Sequence, residues 1–323
     1  MREITFAEAL GEAILEEMEK DPAIFTYGED IAKQGGIFGA YKSLLGKFPD
    51  RIFDTPISEE VIYGSALGAA LVGMKPIVEF HFADFLFTGI QSITLQIEKI
   101  RYMTGGQGKL HLLLRGPDGI SNSAAAQHSE CIETIFMHVP GIKVIIPSTP
   151  YDVKGLIKKA LQEDDPVICF EHKMLYRIKG PVPEEDYTIP FGIAEVKREG
   201  NDVTVVTISR MVHESLKAAE ELKNDGISAE IIDLRTLVPW DKKTVIESVK
   251  KTNHLVVAHE TWKRAGWGAE ITSVVQEEAF DYLDAPIIRV GAKNVPMPFA
   301  ANLQDFVTPN YKDVIEAVKQ ILR

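Results

Sequence analysis

The 323-residue chain predicts an α/β protein of two domains, each a mainly parallel sheet with helices on both faces. Three observations carry that prediction. Short apolar runs rich in β-branched residues and bounded by Gly or Pro recur along the chain, as buried parallel strands do. Segments with apolar residues at helical spacing lie between them, the pattern of strands joined by crossover helices. The alternation breaks at residues 177–190 (RIKGPVPEEDYTIP), which are rich in proline and charge and have no period. Residues 1–180 are therefore expected to form one domain, 181–190 a surface linker and 191–323 a second domain.

Taken in order, residues 7–18 read as a helix and 23–27 as a strand ending in Gly28. Residues 34–40 (QGGIFGA) are a glycine-rich loop without the GxxxxGK[ST] phosphate pattern. Residues 75–82 read as a strand and 85–103 as one long helix; 111–114, 143–146 and 167–170 read as buried strands. Ser148-Thr149-Pro150 signals a helix start, a hydroxyl cap followed by proline at the first helical position, and the helix runs to about Gln162. Beyond the linker, strands are expected at 203–208, 229–234, 255–258 and 287–290. Helices are expected at 213–225, 241–250 and 268–279, with a closing helix at 311–322.

Charge and composition exclude several classes. A net charge of −12 disfavours nucleic acid and anionic membranes, both of which call for a basic face. No apolar run is long enough to span a bilayer, and the first 20 residues lack the basic start and apolar core of a signal peptide. Cys131 and Cys169 are far apart with no CxxC, which argues against a disulfide framework or zinc site and fits a reducing, cytoplasmic setting.

The richest stretch is DTPISEEVIYGSALGAALVG, residues 54–73. Thr55 precedes a proline and is held extended; Ser58 offers an N-cap, and Glu59 and Glu60 fall in the first turn, where the helix dipole favours anions. Gly64, Gly68 and Gly73 each cost helix stability, so such a helix trades propensity for close backbone approach. Glu59 is either a dipole partner facing water or a carboxylate aimed at a ligand. His128, in AAAQHSE after a loop built on Gly116-Pro117-Asp118-Gly119, is a second candidate, with a structural histidine as the alternative. His81 and Asp84 are a weak metal signal without a third ligand. Phe82, Phe85 and Phe87 are core or a ring-stacking platform. Gly266-Trp267-Gly268 lacks the full GxGxxG spacing, and GxSxG, HExxH and kinase signatures are absent.

Together TPISEE (from Thr55), RGPDG (from Arg115), AAAQHSE (from Ala124), HVPGIKVIIPSTPYDVKGL (from His138) and NVPMPFA (from Asn294) resemble one family over nearly the whole chain. It is the beta subunit of the thiamine-diphosphate-dependent dehydrogenase component of 2-oxo acid dehydrogenase complexes. The resemblance implies an N-terminal thiamine-diphosphate pyrimidine-binding fold and a C-terminal transketolase-type domain. Glu59 matches the glutamate on the distal nitrogen of the aminopyrimidine, which drives the ring toward its imino form so that it can take the thiazolium proton. Phe85 matches the aromatic on the pyrimidine face. His128 matches the histidine near the thiazolium, suited to proton transfer or to guiding acyl transfer. A potassium site would involve Leu112, Ala160, Leu161, Glu163 and Asp165, mostly through carbonyls.

The GDG motif that holds Mg2+ and the diphosphate in thiamine enzymes does not occur in this chain. The resemblance assigns that half-site to an alpha subunit in an alpha2-beta2 tetramer. The expected reaction cleaves a carbon–carbon bond next to a carbonyl, in a 2-oxo acid or acetoin, and passes the acyl group to a lipoyl-bearing acyltransferase core. EHKMLY and PEEDYTIPFG lean toward acetoin members, HFADF toward branched-chain members and RGPDG toward pyruvate members; acetoin is the favoured type. The alternatives are a non-catalytic assembly subunit and a transketolase-like half-enzyme.

Overall fold

The computed structural model describes residues 1–323, which form two compact units. The first comprises Met1–Asp118 and Ile135–Phe191, the second Gly119–Thr134 and Gly192–Arg323. Up to Val182 the chain runs β1 (Arg2–Thr5), α1 (Phe6–Lys20), β2 (Ile24–Gly28), α2 (Ile31–Gln34), β3 (Ile52–Asp54), α3 (Glu59–Leu71), β4 (Lys75–Glu79), α4 (Glu98–Met103), β5 (Leu113–Asp118), α5 (Glu133–His138), β6 (Lys143–Ile145), α6 (Pro150–Leu161), β7 (Val167–His172) and β8 (Lys179–Val182). The sheet of the first unit has the order β6-β7-β5-β4-β2-β3, with every one of these pairings parallel. The central strands β5 and β7 are buried on both faces, so they read as continuous apolar runs and not as alternating ones, whereas the edge strand β3 exposes Phe53.

Local chemistry fixes the helix ends. Thr5 and Glu8 form a capping box at α1, the Thr5 hydroxyl accepting from Glu8 N at 3.2 Å and Glu8 accepting from Thr5 N at 2.8 Å. Thr149 caps α6, accepting from Asp152 N at 3.1 Å, with Pro150 at the first helical position as expected. The α1 and α6 faces then close over one side of the sheet in a core that includes Leu10, Ile14, Val153 and Ile157.

Several expectations are corrected. Residues 85–103 do not form one α-helix: the chain passes through a 3₁₀ segment (Ala83–Gly89) and a π-helical turn (Ser92–Ile97) before α4. The cause is tertiary fit. A Cβ at Gly89 would lie 2.4 Å from the Tyr63 ring, and Ser92 Oγ donates to Glu60 Oε1 at 2.6 Å, so the segment is moulded onto α3. Gly116-Pro117-Asp118, read as part of a loop, is the second half of β5. Pro117 is tolerated there because the β4 pairing ends at Arg115, and beyond it β5 pairs only with β7. Ser58 occupies the N-cap position of α3 but its side chain makes no cap hydrogen bond; α3 ends at Leu71, so Gly73 (φ +90°) lies outside the helix. The proline-rich run is not structureless: β8 pairs antiparallel with β1, Tyr187 stacks on Tyr151 with centroids 4.7 Å apart, and Ile189 is buried.

The second unit continues with β9 (Glu195–Arg198), β10 (Val203–Thr207), α7 (Arg210–Asn224), β11 (Ala229–Asp233), β12 (Thr236–Val238), α8 (Lys242–Thr252), β13 (Leu255–Trp262), α9 (Gly268–Ala279), β14 (Ile288–Ala292), α10 (Ala301–Val307) and α11 (Tyr311–Ile321). Its five-stranded sheet has the order β14-β13-β10-β11-β9, parallel except for the β9 edge. Gly266 and Gly268, which the sequence placed near a rejected dinucleotide pattern, have a packing role: a Cβ at Gly268 would lie 2.7 Å from the buried His259 ring. No helix of the structure is long and apolar enough to cross a membrane.

Candidate active site

Sequence and sheet topology bring Glu59 to the C-terminal edge of the first sheet. β2 ends at Gly28 and β3 at Asp54; Thr55 N donates to Gly28 O at 2.9 Å, which ties the TPISEE segment to the end of β2. Such edges are where open α/β sheets hold ligands. Tyr27 anchors the following helix from below, its hydroxyl donating to Ile62 O at 3.0 Å and lying 2.9 Å from Ser65 Oγ. Glu59 is thus the first residue of a pinned helix, half-buried, and no side-chain hydrogen bond or ion pair within the chain holds it.

A neighbouring acid escaped the sequence reading. Burial, and then the nearby charge of Glu59, hold the Glu29 carboxyl above its ordinary value. Burial and the same two carboxylates raise the Tyr63 phenol. The signal was Gly28-Glu29-Asp30 at a strand end, easily passed over as surface charge. A second hidden feature lies under this edge. Arg115 is fully buried and ion-paired with Glu79 and Glu171, and it donates to Tyr176 at 3.0 Å. This network fixes the ends of β4, β5 and β7 relative to one another.

Phe85 sits in the 3₁₀ segment after β4, half-buried, its ring 6.4 Å from Phe82. Phe87 is exposed. Asp84 is buried with Lys173 Nζ 3.9 Å away, a cation where the weak metal reading needs an ion.

His128 lies in the second unit, at the end of a short 3₁₀ turn (Ala126–His128), and is half-buried. The turn before it is strained: Ala125 has φ +61° and ψ −165°, a region that belongs almost solely to glycine, and Ser123 has φ +53°. Strain at a non-glycine residue persists only where the surroundings over-determine it. Further along the segment, Glu260 accepts from Ile120 N at 2.8 Å, and Thr261 donates to Cys131 O at 2.8 Å.

The residues offered to potassium do cluster in the first unit. Leu112 O accepts from Val167 N at 2.9 Å, Ala160 O from Glu163 N at 3.2 Å, and Glu163 O lies 2.6 Å from His111 Nδ1; Leu161 is buried beside them at the end of α6. The carboxylates, however, face fixed cations. Lys143 bridges Glu163 and Asp165, Lys159 pairs with Glu163 and Arg101 pairs with Asp165. Those pairs neutralise both carboxylates within the chain, so a monovalent ion here would rest on main-chain carbonyls such as those of Leu112 and Ala160.

Residues 2–179 match the family model "Transketolase, pyrimidine binding domain", and residues 192–314 match "Transketolase, C-terminal domain". The chain is 48% identical to the pyruvate dehydrogenase E1 component subunit beta of Rickettsia felis, over 99% of this chain and 98% of that one. It is 42% identical to the acetoin:2,6-dichlorophenolindophenol oxidoreductase subunit beta of Cupriavidus necator, over 100% and 98%. Among solved structures it resembles a split-gene transketolase, described as an inactive beta4 tetramer, with a TM-score of 0.82 and 26% identity, covering 99% of this chain and 98% of that one. The chain belongs to the family of beta subunits of the thiamine-diphosphate-dependent dehydrogenase (E1) components of 2-oxo acid dehydrogenase complexes.

Proposed function

We propose that this chain supplies the aminopyrimidine half of a thiamine diphosphate site that an alpha subunit completes. The observation that carries the proposal is Glu59, a carboxylate on the first turn of a pinned helix at the sheet edge with no protein partner in the chain. An acceptor so placed, with the Phe85 ring on the 3₁₀ segment that follows β4, fits the polar edge and flat face of an aminopyrimidine. When bound, the cofactor supplies a carbon nucleophile that attacks the substrate carbonyl. Glu59 holds and exchanges a proton at the ring nitrogen, and Phe85 covers the ring face and keeps water from it. His128, set on a strained turn, is given the proton movements at the reacting end and the hand-over of the acyl group to a lipoyl carrier.

Mg2+ and the diphosphate need oriented donors and a divalent ion's ligands, which are assigned to the alpha subunit. The outer face of α3 supports such a partner. Val61, Leu71 and Val72 are exposed, Val72 to 80%, and a Cβ at Gly68 would meet no atom within 4 Å. Nothing in the chain itself therefore needs glycine there. On substrate, the 48% identity to a pyruvate-type relative supports trying pyruvate first, and acetoin, the type of a relative at 42%, next.

The test is Glu59→Gln in the chain reconstituted with an alpha subunit. Exchange of the thiazolium C2 proton should slow by about 10²–10⁴-fold with assembly unchanged. Unaltered exchange would remove Glu59 from the mechanism.

A further inference from the structure

The glycine-rich loop of residues 34–40 takes no part in the reading above, and it walls a cavity of about 420 Å³. That volume is within the ordinary range for small-ligand sites, roughly 300–1,000 Å³. Its lining is of two kinds. Ile37, Phe38 and Tyr176 supply apolar and aromatic surface, with Phe38 and Tyr176 stacked at 4.6 Å to form a wall. Lys42, Arg177 and His81 are basic, and Asp30 is the one acidic residue among them. Tyr176 is buried and fixed from behind by Arg115 and Glu171, so that wall is rigid.

Neither Lys42 nor Arg177 has a carboxylate partner within the chain, so both charges are open to a ligand in the cavity. The loop also gives Lys42 its place. Gly35 and Gly39 have φ near +80°, and a Cβ on either would lie 3.0 Å from the Lys42 side chain, so the lysine stem lies along the loop. His81 links the cavity to the aromatic pair near Phe85, its ring meeting Phe82 edge-on at 5.3 Å.

We propose that this cavity binds a small organic oxyanion, a carboxylate or phosphate ester with an apolar part, held by Lys42 and Arg177 against the Phe38–Tyr176 wall. The proposal is independent of the thiamine reading and is tested without turnover. Titration calorimetry on the full chain at constant ionic strength would use inorganic phosphate, phenyl phosphate and benzoate. Phenyl phosphate should bind more tightly than inorganic phosphate, because only the former reaches the apolar wall. Benzoate ahead of phenyl phosphate assigns the site to carboxylates, and the reverse order to phosphate esters. Lys42→Ala and Arg177→Ala should each weaken the better probe by about tenfold or more, since a charge-assisted hydrogen bond is lost. Both residues are exposed, so the melting temperature should hold. Lys47→Ala, at an exposed lysine outside the cavity, is the control. Absence of binding by every probe, binding that survives the double substitution, or an equal loss in the control overturns the proposal.

Discussion

The first unit holds two helical surfaces of opposite character. Where α1 meets α6, two fully buried lysines are completely provided for. Lys154 reaches Glu12 at 3.0 Å and Glu16 at 2.8 Å, and Lys158 pairs with Glu16 and Asp186. On α3 the polar group at the helix start, Glu59, has no partner, and the outer face exposes Val61, Leu71 and Val72 around glycines that nothing crowds. The difference separates structure that the chain completes by itself from structure that it leaves for something else. A buried charge without a partner is costly, and the chain meets that cost fully at α6. At α3 it leaves apolar and acidic groups open at one sheet edge, as expected of a half-site.

The comparison can be broken first by stability. Glu16→Ala removes a partner from both buried lysines and should cost about 2–3 kcal/mol in urea unfolding of the chain. Glu59→Gln in the same assay should stay within about 0.5 kcal/mol. Similar losses for both would mean that Glu59 is structural.

Next in size is a pH effect in the segment that packs on α3. Glu98 is buried, neither carboxylate oxygen has a hydrogen-bond partner, and Lys99 is 3.6 Å away; burial pushes its carboxyl up from 4.5 to about 7. The unfolded chain loses that proton first as pH rises, so the folded state is penalised between about pH 4.5 and 7 and the loss levels off above. Glu98→Gln should therefore raise the melting temperature more at pH 8 than at pH 5. A gain that is the same at both pH values would contradict the assignment.

The smallest effect sharpens the contrast most. Gly68 is helical with open space around it, so Gly68→Ala should stabilise the isolated chain by about 0.5–1 kcal/mol. The same change should weaken association with the alpha subunit. Equal or better assembly would show that α3 is not the meeting face.

The sequence revealed the alternation of strands and helices because burial writes apolar runs directly into composition. The start of α6 at Thr149-Pro150 was legible for a similar reason, since capping is local chemistry. What it concealed depended on contacts distant along the chain. Gly116-Pro117-Asp118 is strand only because Pro117 lies beyond the last β4 partner, and 85–103 breaks into three segments because Tyr63 and Glu60 hold its middle. Glu59 and His128 were legible as motif residues. Glu29 was not, because its significance lies in its closeness to Glu59, and neither was Ala125, whose strain is a backbone property.

The claim that this chain holds only half of a thiamine diphosphate site is tested most directly by calorimetry. The isolated chain is titrated with thiamine diphosphate and Mg2+, and then again after an alpha subunit carrying a GDG motif is added. Weak binding and no turnover of a 2-oxo acid alone, with both gained on addition, is the predicted result. Tight stoichiometric binding by the isolated chain, or turnover with an artificial electron acceptor, would show that the second half of the site is here and contradict the account.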